Sequence, residues 1–483
     1  MMKKMGEGSM NDHIQKAAKF CRRFREDESG SMTFFIMFII VLTLIVAGMA
    51  VDFMKFESRR TIMQGAVDRA VLAAADLDQV RDPAEVVRDY VAKSQGGNCL
   101  SADPQIIPGA NFRSVTANCE LTMATYFLRI LGMETLTAAA SATAVEGVGN
   151  VEVSLVLDIS GSMSESVPSL GMSKMDVLHD AGTAFVDALL QEEYEDRISV
   201  SLIPYTAHVN AGAELFDAYG IDRRHYFSNC VVVPTADFGS TSMNVGPSYS
   251  QAKHFQRYTG ASYTCPVEDF EEIIPISQNA DALKAAINQF EPRSTTSIFL
   301  GLKWGAALLD PSFQSVYSNL PSSMRDSAFS GRPENFGDND NPSDTKKYIV
   351  VMTDGKNVGT RTLYDNFYQT PSMVAHWGAG KTPYDMYVEE FNGSANRYWD
   401  YYGQYEYTTN QGNTLMANIC GAAKEAGIII FAVAMGEGND IDSTAMSNCA
   451  SSPSGHYFET SGDELVAIFE AIADQITDLR LTL

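Results

Sequence analysis

Three oxygen-bearing side chains stand at alternate positions directly after an apolar run. They are Asp158, Ser160 and Ser162, and the run is residues 151–157. Such a run is typical of a strand that is buried on both faces of a parallel sheet. The turn after it then lies at the carboxyl edge of the sheet, where open α/β folds bind ligands. Carboxylate and hydroxyl oxygens suit Mg²⁺, Ca²⁺ or Mn²⁺, so we predict a hard-cation site at this turn.

Two further segments could supply oxygen atoms at the same edge. Thr296 precedes an apolar helical segment that contains Gly301, and Asp354 follows the apolar run 348–352. A single pattern of this kind arises by chance in long sequences, whereas three loops at matching places are more specific. The alternative is a phosphate-binding or capping turn. Thr295 is an adjacent candidate, although the spacing to Gly301 favours Thr296.

Together the three loops resemble the metal-ion-dependent adhesion site of the von Willebrand factor A (vWA) domain. The resemblance implies that Ser160, Ser162 and Thr296 bind the cation directly, and that Asp158 and Asp354 act directly or through water. It further implies Mg²⁺ (or Ca²⁺ or Mn²⁺) with one coordination position left open. Because Mg²⁺ demands octahedral oxygen geometry, an acidic group of a protein partner could take that position.

Enzymatic patterns are weak in this sequence. The seven histidines show no paired metal spacing, and neither a G-x-S-x-G motif nor a P-loop is present. The best enzymatic alternative is a divalent-dependent hydrolase with Asp158 as nucleophile. Such sites require a second aspartate two residues later, where Ser160 stands. We therefore expect a binding protein and not an enzyme.

Strand and helix patterns alternate through residues 150–483, which we predict to form the vWA domain. The fold class expected is α/β, with a doubly wound, mainly parallel, Rossmann-like sheet. The predicted elements are strand 151–157, helix 173–190, strand 198–203, helices 281–290 and 297–309, strand 348–352, helix 414–426, strands 428–434 and 457–459, and helix 463–479. Long insertions are expected near 207–276, 312–346 and 358–412.

Two insertions carry further candidate features. Residues 338–344 include several carboxylates that could hold a second Ca²⁺, although a solvated loop is the more common outcome for such a run. The insertion at 358–412 is rich in tyrosine, phenylalanine and tryptophan. These aromatic residues could form a recognition surface or the core of the insertion itself.

One segment could cross a membrane. Residues 32–51 include no charged residue, and about 20 apolar helical residues span a hydrocarbon core of roughly 30 Å. We predict a transmembrane helix at 32–52 after a polar cytoplasmic tail at 1–31; a cleaved signal peptide is the alternative. Basic residues lie on both sides of the span, so charge gives only a weak preference for a cytoplasmic N-terminus.

Residues 53–149 are expected to continue the helix and to add a small sheet of three short strands at 112–118, 120–127 and 135–145. The segment from Glu28 through the apolar span to Ala75, and the Ala/Thr-rich end near 140–144, resemble TadE/TadG-like pilus-assembly proteins. Processed pilins carry a glutamate five residues beyond the cleaved glycine, where this chain has Phe35 after Gly30. The resemblance therefore implies a permanent single-pass anchor in a bacterial inner membrane, with the large domain periplasmic or extracellular.

Composition limits the class of partner. The chain has 483 residues and a formal net charge of −25, and so lacks the basic surface that nucleic acids require. Six of the seven cysteines fall into neighbouring pairs, Cys99 with Cys119, Cys230 with Cys265, and Cys420 with Cys449. Six cysteines permit about 15 connectivities, and buried free thiols are a further alternative. If the neighbours pair, this part of the chain lies in an oxidising compartment.

The resemblances together imply a TadG-like component of Tad/Flp pilus assembly. We expect it to bind a protein partner, such as a pilus or envelope component, through a shared cation. A membrane-tethered vWA adhesin without a pilus role is the alternative within binding proteins.

Overall fold

The computed structural model describes residues 16, 18–22, 29–76, 79, 81–94, 97, 99–108, 112–147, 149–246, 249–258, 262–337, 345–391, 397–436 and 440–478. The predicted second Ca²⁺ site at 338–344 lies outside the described residues, as does most of the tail at 1–31. The chain divides into two compact units, residues 1–147 and residues 148–482.

The first unit combines a long helix with a small antiparallel sheet. Its elements are α1 (Ser29–Ala75), α2 (Pro83–Lys93), β1 (Gln105–Pro108), β2 (Phe112–Ala124) and β3 (Thr135–Gly147). The sheet order is β1-β2-β3. The small-residue stripe on α1, which includes Ala66, Ala70 and Ala74, is buried with apolar residues of α2 and of the sheet. Small side chains permit this close packing of the helix against the sheet.

The second unit contains the remaining elements. In chain order they are β4 (Val151–Asp158), β5 (Ser166–Val167), β6 (Met172–Ser173), α3 (Lys174–Leu189), β7 (Ile198–Tyr205), α4 (Ala213–Ala218), β8 (Val231–Val232), β9 (Ser250–Gln251), β10 (Gln256–Tyr258), β11 (Ser262–Tyr263), β12 (Ile274–Ser277), α5 (Ala280–Ile287), α6 (Ile298–Leu309), α7 (Phe313–Asn319), β13 (Lys346–Thr353), β14 (Thr360–Leu363), α8 (Pro371–Gly378), α9 (Pro383–Phe391), α10 (Tyr398–Tyr402), β15 (Gly403–Tyr407), α11 (Thr409–Glu425), β16 (Ile429–Met435), α12 (Ser443–Cys449), β17 (Tyr457–Thr460) and α13 (Leu465–Asp478).

A six-stranded sheet forms the centre of this unit, in the order β12-β7-β4-β13-β16-β17. Every neighbouring pair is parallel except β12 with β7, which is antiparallel. One core, with Leu155 and Leu157, packs against α3, α5 and α13. A second core, with Val156 and Ile203, packs against α6, α11 and α12 on the other face. The predicted doubly wound, mainly parallel α/β fold is therefore confirmed.

Helix α6 lies unusually close to the central strand. Gly301 and Gly305 are one helical turn apart, and a Cβ atom on either would lie 2.8 Å from a γ carbon of Val156. The hydroxyl of Ser154 also donates a hydrogen bond to the Gly305 carbonyl at 2.8 Å. Any larger side chain would push α6 outward, so the two glycines fix the position of the loop that precedes it.

The sequence patterns predicted the positions of the long helices and strands, but they missed short strands and divided one long strand into two. The strands expected at 112–118 and 120–127 are one continuous strand, β2, which pairs with β3 along its whole length. The short strands β1 and β12 were not predicted. Strands of four residues carry too little periodicity to recognise, and their pairing partners decide their bounds.

Candidate metal centre

Three loops meet at the carboxyl edge of the central sheet. β4 and β13 are adjacent parallel strands whose register places Leu157 opposite Met352, so the loops that follow them begin side by side. The loop after β4 turns sharply through a 3₁₀ segment, Gly161–Ser164. The third loop precedes α6 and reaches this turn through the Ser294 carbonyl, which accepts a hydrogen bond from the Gly161 N–H at 3.2 Å.

Oxygen atoms from the three loops form one continuous line. The Thr296 hydroxyl lies 2.9 Å from the Ser160 hydroxyl, which lies 3.1 Å from the Ser162 hydroxyl. The Ser162 hydroxyl in turn donates to Oδ1 of Asp354 at 2.6 Å. The structure thus brings together side chains that are up to 194 residues apart, since Ser160 and Asp354 belong to this one line.

Asp158 occupies a different position from the other four residues. It is fully buried, and its Oδ1 accepts a hydrogen bond from the Ser160 backbone N–H at 2.8 Å. Its Oδ2 accepts from the Thr353 hydroxyl at 2.8 Å and from the Tyr205 hydroxyl at 3.4 Å. Both oxygens therefore have donors from the protein, and Asp158 holds the turn of Ser160 in place. Thr353 and Tyr205 gave no signal in the sequence beyond their place at strand ends.

The two adjacent threonines point to different partners. Thr296 is buried and joins the oxygen line, whereas the Thr295 hydroxyl accepts a hydrogen bond from Arg257 at 2.9 Å. Ser294 just before them has a positive φ of 58°, a conformation that is uncommon for residues other than glycine. Thr296, not Thr295, therefore lies beside Ser160.

A lysine that sequence reasoning missed also enters the site. The Lys174 ammonium lies 2.9 Å from Oδ2 of Asp354 and 2.7 Å from Oε2 of Glu165. Its side chain is 9% exposed, while that of Asp354 is fully buried. Lys174 is the first residue of α3, so no motif in the cation loops indicated it. Its charge offsets that of Asp354.

Burial dominates the electrostatics of the two aspartates. It raises the pKa of Asp158 well above the ordinary value, and the charge of Asp354 adds to this rise. Burial also raises the pKa of Asp354, although hydrogen bonds with Ser162 and Lys174 oppose the effect. Burial lowers the pKa of Lys174, but its bonds with Glu165 and Asp354 outweigh this, so that the pKa is raised overall. Two carboxylates that are both buried from solvent favour the binding of an additional positive charge nearby.

The residues present fit a small hard cation. In an octahedral site with ligands at about 2.1 Å, neighbouring ligand oxygens lie about 3.0 Å apart. The successive separations along the oxygen line are 2.9, 3.1 and 2.6 Å. Hydrogen-bonded oxygens and neighbouring ligands of Mg²⁺ thus have similar spacing, so the loops already stand at suitable distances. Among the described residues, no group of three or more His, Cys, Asp or Glu forms a metal site.

The aromatic insertion has a core of its own. Leu363, Tyr368, Trp377 and Tyr402 are buried together with Phe255 of the first insertion. Other aromatic residues of this segment, among them Tyr384, Phe391, Tyr401 and Tyr405, are exposed by 40% or more. The buried side chains thus form a core, and the exposed ones lie outside it.

Six cysteines form three disulfides between sequence neighbours. The S–S distances are 2.22 Å for Cys99–Cys119 and 1.97 Å for both Cys230–Cys265 and Cys420–Cys449. Cys21 is free and exposed. These are the three pairs that the sequence analysis proposed.

The long helix α1 provides the link to a known family. Among the described residues, it is the helix that is long and apolar enough to cross a membrane. Residues 30–77 match a family described as putative Flp pilus-assembly TadE/G-like. This segment is TadE/G-like. The match confirms the predicted resemblance over the apolar part of α1 and its continuation as far as the end of the helix. No curated protein matches the chain.

Several solved structures are similar to parts of the chain that bears this TadE/G-like helix. The vWF domain of the type V pili tip protein Mfa5 from Porphyromonas gingivalis is 13% identical, with a TM-score of 0.35, and the alignment covers 69% of this chain and 97% of that one. The pilus adhesin SpaC from Lactobacillus rhamnosus GG is 14% identical, with a TM-score of 0.33, over 78% of this chain and 34% of that one. This chain thus spans about a third of the SpaC chain. The mussel byssus protein PTMP1, in a structure with a zinc-occupied MIDAS motif, is 12% identical over 68% of this chain and 46% of that one, with a TM-score of 0.29.

Proposed function

We propose that this chain is a membrane-anchored Tad/Flp pilus-assembly protein whose vWA domain binds a protein partner through a divalent cation. The observation that carries the binding proposal is the continuous line of four side-chain oxygens from three separate loops. The TadE/G-like match of α1 supports the pilus role. The cation proposed is Mg²⁺ (or Ca²⁺ or Mn²⁺), because hydroxyl and carboxylate oxygens are hard ligands that suit these ions.

Each residue of the site has a separate task. Ser160, Ser162 and Thr296 would hold the cation, and Asp354 would offset its charge directly or through water. When bound, the cation supplies a Lewis-acidic position that accepts a carboxylate from the partner. Asp158 orients the Ser160 turn through its backbone hydrogen bond.

A hydrolase is the weaker proposal. A nucleophilic aspartate must reach its substrate, yet Asp158 is fully buried and both of its oxygens accept hydrogen bonds within the protein. Its position suits a structural task.

The exposed aromatic side chains Tyr384, Tyr401 and Tyr405 belong to the same unit as the oxygen line, and aromatic residues are enriched at protein interfaces.

We infer that α1 anchors the chain in a membrane. The charge-free residues 32–51 cross the bilayer, and the remaining part of α1 continues beyond it. The three disulfides support an oxidising compartment for everything after the span. We therefore assign a cytoplasmic N-terminus and a periplasmic or extracellular C-terminal domain in a bacterial inner membrane.

The cation site is tested by titrating MgCl₂ into the full-length protein in detergent micelles by calorimetry. Ser162→Ala removes a hydroxyl from the centre of the line, and we expect Mg²⁺ affinity to fall at least tenfold. Ser164→Ala is the matched control, because Ser164 is two residues away, is exposed and donates only to the Gly161 carbonyl. Equal Mg²⁺ affinity in wild type and Ser162→Ala would contradict the proposed site.

The pilus role needs a separate test in cells. Deletion of the gene should abolish Flp pili on the surface, as counted by electron microscopy, and the wild-type gene should restore them. Intact pili with lost surface attachment would favour a membrane-tethered adhesin instead.

A further inference from the structure

We infer that the turn between β2 and β3 is a second membrane contact. This turn, residues 125–134, is called the hairpin tip below. Its occupant is lipid, at the boundary between headgroups and acyl chains on the non-cytoplasmic side. The inference rests on the proposed membrane span of α1 and adds a surface to it, because it fixes how the first unit stands on the bilayer.

The hairpin tip is fastened to α1 at the end of the charge-free segment. Asp52 is the first charged residue after that segment and is only 3% exposed. Its carboxylate accepts hydrogen bonds from three successive backbone N–H groups, those of Tyr126, Phe127 and Leu128, at 3.1, 2.7 and 2.8 Å. Hydrogen bonds to an ionised carboxylate are roughly twice as strong as neutral ones. The tip is therefore held at a defined height along α1.

A glycine lets the tip reach into the apolar segment itself. Gly48 is buried against Phe127, and a Cβ atom there would lie 2.3 Å from the Phe127 ring. Gly48 precedes Asp52 by four residues, which is about 6 Å along a helix axis. Phe127 thus packs at a level that the charge-free segment occupies. If residues 32–51 lie in the hydrocarbon core, this ring lies at the edge of that core.

Large apolar side chains project from the tip into the surroundings. The exposed fractions are 67% for Tyr126, 66% for Ile130, 58% for Leu131 and 43% for Met133. A group of this kind marks an interaction surface. The Lys55 ammonium stands 4.2 Å from the centre of the Tyr126 ring. Tyrosine and lysine are both common at the level of lipid headgroups, where an apolar body and a polar end meet different surroundings.

Continuity with α1 identifies lipid as the occupant. The side chains of Val51 and Phe53, on either side of Asp52, are 45% and 51% exposed. They are at the same level as the tip and extend the lipid-facing surface of the helix towards it. A bilayer that surrounds residues 32–51 therefore covers the tip as well.

Site-directed spin labelling of the full-length protein in phosphatidylcholine–phosphatidylglycerol liposomes tests the inference. In a Cys21→Ser background, one cysteine is introduced for the label at Ile130→Cys, at Leu42→Cys or at Ile107→Cys. Leu42 reports on the span, being within it and 50% exposed. Ile107 is the matched control, because it is 58% exposed and pairs with Ser114, about 35 Å along β2 from the tip.

Accessibility of each label to oxygen, which concentrates in lipid, is compared with accessibility to a water-soluble nickel complex. We expect the oxygen-to-nickel ratio to be several-fold higher for the labels at positions 130 and 42 than for the label at position 107. A lipid signal at position 42 with a water signal at position 130 would overturn the inference and leave the membrane span intact. A water signal at both positions would overturn the span and the inference together. Spin–spin broadening at position 130 would show that a second copy covers the tip and would also overturn the inference.

Discussion

Lys174→Met is the perturbation that most directly separates the charge balance of the site from its shape. The methionine keeps the length and apolar stem of the side chain but removes the ammonium that lies 2.9 Å from Asp354. Two unit charges at that separation attract by about 6 kcal/mol at an effective dielectric constant of about 20. Loss of one partner of a buried pair costs about 3–5 kcal/mol, because the other charge is left without compensation.

A divalent cation should restore much of this loss. In the wild type the ammonium and the cation compete for Asp354, whereas in Lys174→Met the cation is the sole positive partner. If about a quarter of the 6 kcal/mol attraction returns to the cation, its affinity rises about tenfold, since each 1.4 kcal/mol is a factor of ten. We therefore expect a lower free energy of unfolding without Mg²⁺, and a larger stabilisation by Mg²⁺, than in the wild type.

The assay is thermal and denaturant unfolding of the full-length protein with EDTA and with saturating MgCl₂, together with Mg²⁺ calorimetry. Lys356→Met is the matched control, because Lys356 is exposed and lies only two residues after Asp354. Its Mg²⁺ response should equal that of the wild type. A Mg²⁺ stabilisation of Lys174→Met no larger than the wild-type value would refute the reasoning.

Three further perturbations test packing, pH response and covalent structure. Gly301→Ala should lower the free energy of unfolding by about 1–3 kcal/mol through overpacking, as measured by denaturant unfolding. The control is Gly421→Ala, a helical site with no neighbouring atom within 4 Å of the new Cβ, which should raise the free energy of unfolding by up to about 1 kcal/mol. Equal effects of the two substitutions would contradict the close approach of α6. Burial, and next the charges of neighbouring carboxylates, raise the pKa of Glu272 to about 7, so the folded state binds this proton more tightly than the unfolded chain and stability falls as pH rises from about 4.5 to about 7. Glu272→Gln should therefore raise the melting temperature at pH 8 and leave it unchanged near pH 4, and a shift of equal size at both pH values would contradict the assignment. Replacement of Cys230 and Cys265 by alanine opens a loop with a sequence separation of 35 and should lower the free energy of unfolding by about 2–4 kcal/mol; an unchanged value in denaturant unfolding would show that the bridge does not form.

The sequence by itself determined the long elements and the general chemistry of the site. The apolar run 151–157 and the segment 32–51 each carry enough periodicity or length to define a buried strand and a membrane-length helix. Alternation of strands and helices indicated the parallel sheet, and such a sheet necessarily brings its strand ends to one edge. The oxygen-rich character of that edge followed from residue types alone.

Only the tertiary structure decided which atoms meet there. Lys174 enters the site because α3 begins beside Asp354. The spacing to Gly301 already favoured Thr296, and the fold brings its hydroxyl to 2.9 Å from that of Ser160. These choices depend on packing between segments more than a hundred residues apart, and local patterns contain no information on that packing. The contact between Asp52 and the hairpin tip could not be predicted for the same reason. Asp52 accepts hydrogen bonds from backbone N–H groups more than 70 residues away, and no periodicity in the sequence indicates such a contact.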